Sequence, residues 1–199
     1  MPSITWPRAL APGSILLAVD SPARTGPQPA VGSPQIVTSD AGRWLITYQD
    51  IPIHSGNLAT LRSLIAQSSG GVEAFAVSPW EYRRGASVRL GSTVTASLSA
   101  TATLRAVSIS VAVTTGSILA GDVIGIGERL YDVGTATTPS AGVQTLTIWP
   151  PIREAASSST AVLIDAPVLK ARVVDPRRMA AALQWGRHGR LTLEFEEVF

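Results

Sequence analysis

The sequence predicts a mainly β protein: an antiparallel β-sandwich with one short helix, plus an inserted small β-barrel or sandwich domain. Three observations lead there. Short runs rich in β-branched and aromatic residues, punctuated by Gly and Pro, recur along the 199-residue chain, and such runs read as antiparallel strands. One stretch alone, with Leu58, Leu61, Leu64 and Ile65 at steps of three and four, has the apolar stripe of a helix. Pro/Gly-rich joints bracket a strongly alternating middle section, so residues 86–165 are expected to form a barrel-like unit inserted into a parent domain made of residues 1–85 with 166–199.

The elements follow in chain order. Residues 1–35 carry Pro2, Pro7, Pro12, Pro22, Pro27, Pro29 and Pro34, which removes backbone donors and predicts extended loop, except for a strand over Ser14–Val19. Asp20 to Pro34 has no periodicity and reads as a loop that is mobile or ordered by a partner. Between Gly42 and Ile53, Trp44, Ile46 and Tyr48 alternate with Leu45, Thr47 and Gln49, a strand pattern. A helix over 55–68 follows, with Ser55 or Asn57 to cap its start and Gly70-Gly71 to end it. Val72–Val77 reads as the next strand.

From Val88 to Val113 one row is Val94, Ala96, Leu98, Ala100 and Ala102 against Thr and Ser, and Val107, Ile109, Val111 and Val113 continue it in shifted phase. These are expected to be half-buried antiparallel strands. Gly116–Ala155 supplies three more, Val123–Ile126, Leu130–Val133 and Val143–Trp149, the last closed by Pro150-Pro151. Tyr131, Leu146, Ile148 and Trp149 are expected to pack the inserted unit. Strands over Ala161–Ile164, Val168–Val174 and Arg190–Phe199 complete the pattern, with a short helix over Arg177–Leu183 begun by Asp175-Pro176.

Composition narrows the function. Hydrophobic residues make up 45% and charged residues 15%, which argues against disorder and leaves a surface of Ser, Thr, Ala and Gly suited to a subunit partly hidden in an assembly. The net charge is +2, and every basic residue but Lys170 is Arg. Like charges cluster no further than Arg83-Arg84 and Arg177-Arg178, so no nucleic-acid footprint is expected. With no cysteine, disulfides, thiol catalysis and Cys-ligated metals are excluded. The Ile15–Val19 run is too short for a signal peptide or a membrane span, so a soluble protein with no membrane partner, not exported by the usual route, is expected.

Chemistry-bearing patterns are sparse. His54 and His188 belong to no metal signature and read as turn histidines. No nucleophile elbow occurs. Gly125-Ile126-Gly127 lacks the third glycine and following helix of a nucleotide loop and reads as a turn pair. Asp122 is expected to bond local backbone. Glu194 and Glu196 share one face of a strand, about 7 Å apart, a spacing within reach of glycosidase chemistry. Leu191, Leu193 and Phe195 claim the other face, so the pair reads as the solvated or Arg-paired side of an amphipathic strand. Of the tryptophans, Trp44 and Trp149 are expected in the core, while Trp80 and Trp185 neighbour Pro or Gly and are candidates for stacking sugars. No catalytic, cofactor-binding or metal-binding residue is assigned, no cofactor is expected, and the chain is not read as an enzyme.

Three stretches together resemble the distal tail or baseplate-ring proteins of long-tailed bacteriophages. They are RWLITYQDIPIHSGNLATLRSLIAQSSGGVEAFAVSP, GSILAGDVIGIGERLYDVG with VQTLTIWPPIREA, and the terminal GRLTLEFEEVF. The resemblance implies a structural virion protein of the tail tip. It implies a ring, usually of six copies, between the tail tube protein and the hub or baseplate proteins, assembled in the host cytoplasm. The usual outward domain follows its ring-forming sandwich in sequence, whereas here the second β unit looks inserted. The long N-terminal loop and the Arg177–Arg190 region are the expected inter-subunit contacts. Alternatives are a carbohydrate-binding host-adhesion module, a tail terminator or a head–tail joining protein.

Overall fold

In the computed structural model the described residues are 3–20, 42–70, 72–79, 94–180 and 189–199, with the backbone alone at 23–25, 36–38 and 181. Among them the chain is mainly β. Six strands form one sheet: β1 (Ile4–Thr5), β2 (Ser14–Asp20), β5 (Arg43–Ile53), β6 (Phe75–Val77), β13 (Leu169–Val173) and β14 (Gly189–Glu197), in the order β1-β6-β13-β14-β5-β2. All neighbours in it are antiparallel except β1 and β6, which run parallel with Ile4 beside Phe75.

Six further strands close into an antiparallel barrel: β7 (Ala96–Leu98), β8 (Ser108–Val113), β9 (Val123–Ile126), β10 (Arg129–Ala136), β11 (Val143–Trp149) and β12 (Ala161–Leu163). The order round the barrel is β10-β11-β8-β7-β12-β9. All six lie between β6 and β13 in sequence. Those two strands pair with each other, Val77 opposite Leu169, so the chain leaves for the barrel and returns from it at one place in the sheet.

Alternation in β5 puts Trp44, Ile46 and Tyr48 into the core. The phase then slips, and Ile51 and Ile53 take over. The cause is a bulge: Leu193 stands opposite Tyr48 but Leu191 opposite Ile51, so Gln49 and Asp50 together face Thr192. Asp50 has a φ of 54°, a left-handed conformation that Asp tolerates better than most residues.

Helix α1 (Ser55–Gln67) matches the apolar stripe, with Leu61 and Leu64 buried in the core of the sheet. Its cap is neither Ser55 nor Asn57. His54 holds that position: its Nδ1 accepts from the Gly56 N–H at 3.1 Å, while Asn57 Oδ1 accepts from the His54 N–H at 2.9 Å. Asn57 is drawn inward because its amide also donates to the Pro52 carbonyl at 2.6 Å. The helix ends at Gln67 with Ser68 as its cap; Ser69, φ 50°, takes the left-handed position, and Gly70, φ 80°, bonds the Ile65 carbonyl through its N–H, as in a Schellman motif. Val72 and Glu73 both bond back to Ser68, so β6 starts at Phe75 rather than at Val72. Helix α2 (Pro176–Ala181) lies where Asp175-Pro176 predicts a helix start, and Asp175 Oδ1 accepts from the Arg177 N–H.

Two expectations are corrected at the surface. Val107 precedes β8 and is 54% exposed, because the inward row of that strand begins at Ile109. Trp149 is 39% exposed, since Gln144, Leu146 and Ile148 take the inward parity of β11. The span expected as unpatterned loop also contains structure. β3 (Ala23–Thr25) and β4 (Ile36–Thr38) pair antiparallel as a two-stranded sheet of their own.

There are two cores. The sheet core gathers Trp44, Phe75, Phe195, Leu193, Leu61 and Met179, and Trp6 lies edge-on to Tyr48, Phe75 and Phe195 at 5.3–6.0 Å. The barrel core gathers Leu98, Val111, Ile118, Ile124, Tyr131 and Leu146 among others. β9 and β10 form the wall between them. Ile124 and Tyr131 point into the barrel, while Val123 and Leu130 belong to the sheet core.

Candidate functional site

The most strongly built polar cluster lies where the barrel meets the sheet, and its centre is Glu197. Parity explains its burial. In β14 the residues Leu191, Leu193 and Phe195 face the core, and Glu197 follows them on the same side. Its side chain is fully buried. Such a charge is costly unless paired, and three groups answer it. The Arg129 guanidinium donates to Oε1 at 3.2 Å, the Trp44 backbone N–H donates to Oε2 at 3.2 Å, and Arg153 Nε stands 3.9 Å from Oε1.

The two arginines come from the barrel, Arg129 from the first residue of β10 and Arg153 from the segment after β11. Each is also held by a sheet-side carbonyl. Arg129 donates to Val198 O and Arg153 to Gly42 O. The Phe199 ring lies across them, 5.4 Å from the Arg129 guanidinium carbon, 4.7 Å from that of Arg153 and 5.6 Å from that of Arg43, within cation–π range. Trp44 adds a bond from its indole Nε1–H to the Leu130 carbonyl at 2.8 Å. Tyr131, on the barrel side, accepts from the Arg153 N–H at 3.4 Å, and burial pushes its phenol up from the ordinary value, which keeps it protonated.

This arrangement is a fastening. The Glu197 oxygens are taken by Arg129 and the Trp44 N–H and offer none to a substrate, while the buried Arg153 Nε faces the carboxylate without a hydrogen bond of its own. Close backbone approach supports it. Gly125 leaves room for Pro167 on the returning chain: a Cβ there would sit 3.1 Å from Pro167 Cβ and 3.2 Å from its Cα. The Lys170 N–H of β13 also bonds the Glu128 carbonyl of the β9–β10 turn.

The residues singled out by sequence are scattered. Glu194 and Glu196 do share the outer face of β14, where each meets an arginine, Arg178 at 3.4 Å and Arg43 respectively. His54 is exposed and caps α1. Asp122 Oδ2 accepts from the Leu119 N–H at 2.8 Å. Gly127, φ 62°, makes the tight turn between β9 and β10. Trp44 is buried as expected. His188, Trp80 and Trp185 lie outside the described residues. The notable omission is Glu197. Its signal was present, since an acidic residue on the apolar parity of an amphipathic strand must find a cation.

Among the described residues no group of three His, Asp or Glu side chains is placed to hold a metal ion, and no helix is long and apolar enough to cross a membrane. An apolar cavity of about 220 Å³ opens beside Trp6, Pro7, Ile15, Tyr48 and Val168. Arg8, Ser78 and Asp165 also line it, and Tyr48 Oη donates to the Ser78 carbonyl at 2.7 Å. Comparison with family models and with curated proteins finds no match for the chain.

Proposed function

We propose that the chain is a structural subunit of a bacteriophage tail tip, forming an oligomeric ring of six copies that joins the tail tube to the hub and host-binding apparatus. The observation that supports it best is the way the charged residues are used. The buried Glu197–Arg129–Arg153 cluster fastens an inserted barrel to a helix-backed sheet. Glu194 and Glu196, whose spacing alone is within reach of glycosidase chemistry, are occupied by surface arginines. A protein whose strongest polar constellation holds two bodies in fixed relation suits a structural role in an assembly. The layout also carries the three resembling stretches on β5–α1–β6, on β9–β10–β11 and on β14.

The test is direct. Native mass measurement on the purified chain, with electron microscopy of particles, is expected to give a ring and to locate the protein near one end of the particle. A strict monomer at high concentration, together with particles that lack the protein, would remove the reading.

A further inference from the structure

The two edges of the six-stranded sheet are built differently. β1 is two residues long and runs into Trp6-Pro7, a short, proline-ended edge that resists pairing. β2 is seven residues long, Ser-Ile-Leu-Leu-Ala-Val-Asp, with no Lys, Arg, Pro or bulge along its pairing with β5. Among the described residues its outer side pairs with nothing. Alternate residues of such a strand turn their N–H and C=O groups outward, so the edge is a template for another strand.

Its side chains are also incomplete. Ile15, Leu17 and Val19 pack against the sheet core yet remain half-buried, and Leu16 on the other face is 55% exposed. In the neighbouring β5 the same core row, Trp44, Ile46 and Tyr48, is 2, 0 and 3% exposed. What the row of β2 lacks is one more strand.

We infer that β2 pairs antiparallel with β2 of a second copy about a two-fold axis at Leu17. The sequence is self-complementary in that register. Leu17 meets the partner's Leu17, Ile15 meets the partner's Val19, and Leu16 meets the partner's Ala18. The one charge, Asp20, meets the partner's Ser14 hydroxyl, so no like charges oppose. A head-to-tail contact would instead need β1 as partner, and two residues cannot match seven. The two sheets become one of twelve strands, and the half-buried row closes. Joined to the ring reading, on which this last step rests, the pairing is isologous and therefore separate from the head-to-tail contacts that close a ring with two unlike faces.

The absence of cysteine gives a clean test. Residues facing each other in antiparallel strands have Cα atoms about 4.5–5.5 Å apart, within disulfide range. Leu17→Cys under mild oxidation is expected to run mostly as a species of twice 20.8 kDa on a non-reducing gel. Leu16→Lys with Ala18→Lys, both at exposed positions, is expected to abolish the pair while leaving the circular dichroism spectrum unchanged. A Leu17→Cys chain that stays monomeric overturns the inference. So does a mixed disulfide between Leu17→Cys and Thr5→Cys chains in preference to the self-pair. A six-copy ring without the Leu17 cross-link sinks the pairing and spares the ring. A cross-linked dimer that never assembles further does the reverse.

Discussion

Three glutamates within four residues of β14 give an internal comparison. Glu194 and Glu196 are on the outer face, while Glu197 is buried against two arginines. Consider Glu197→Gln. The amide keeps an oxygen for the Trp44 N–H but no longer balances Arg129 and Arg153, whose side chains are each only 11% exposed. Removing one member of a buried ion pair costs about 3–5 kcal/mol. Both guanidiniums keep a carbonyl and the Phe199 ring, so the lower end, about 3 kcal/mol, applies. At about 2–4 °C per kcal/mol for a chain of this size, Tm falls by about 6–12 °C. The assay is calorimetric melting of wild type, Glu197→Gln, Glu194→Gln and Glu196→Gln under one set of conditions. The outer two break only half-exposed surface pairs and lose less than about 1 kcal/mol each. If Glu197→Gln melts within about 2 °C of wild type, or no lower than the outer two, the fastening is misread.

Further outcomes follow from other contacts. Trp44→Phe removes the indole bond to the Leu130 carbonyl and leaves a buried acceptor unpaired, for a loss of about 1–3 kcal/mol in denaturant unfolding. Gly125→Ala drives a Cβ against the Pro167 backbone and costs about 1–3 kcal/mol by the same measurement. His54→Ala removes the helix cap and costs about 1 kcal/mol, with the loss confined to hydrogen-exchange protection in the first turn of α1. Burial raises the Asp132 carboxyl above its ordinary value. A raised folded-state value means stability present below the unfolded value and lost as pH rises through the folded one. Asp132→Asn is therefore expected to raise Tm at neutral pH and to leave it unchanged below the ordinary aspartate range.

Much of the fold was legible because the two periodicities are clean where burial is one-sided. The stripe of Leu58, Leu61 and Leu64 located α1, and the alternation of Leu191, Leu193 and Phe195 located β14. Parity carried to its end would also have placed Trp149 outside, since Leu146 and Ile148 point inward, and Glu197 inside. Both were missed because residue type outweighed position: tryptophan suggested core, and an acidic cluster suggested solvent. Other features leave no local trace. The slip at Asp50 depends on what faces it in β14, and the parallel pairing of β1 with β6 joins segments about seventy residues apart. The junction was illegible for the same reason. Arg129 and Arg153 have no sequence neighbour that betrays a shared carboxylate.

The return of the chain to its point of departure has a temporal side. Every strand of the barrel is available once Leu163 has been synthesised, and its pairings are internal to residues 96–163. The sheet waits for β14. Its central strand must join β5 across a separation of 153 residues, the interval between Trp44 and Glu197. Closing so long a loop is slow in a free chain, but a barrel already folded brings β6 and β13 side by side and removes most of that span. The inserted unit thus shortens the loop that the sheet has to close. Glu197 lies after Arg129 and Arg153 in the chain, so the contact that docks the barrel on the sheet forms only once β14 has been made.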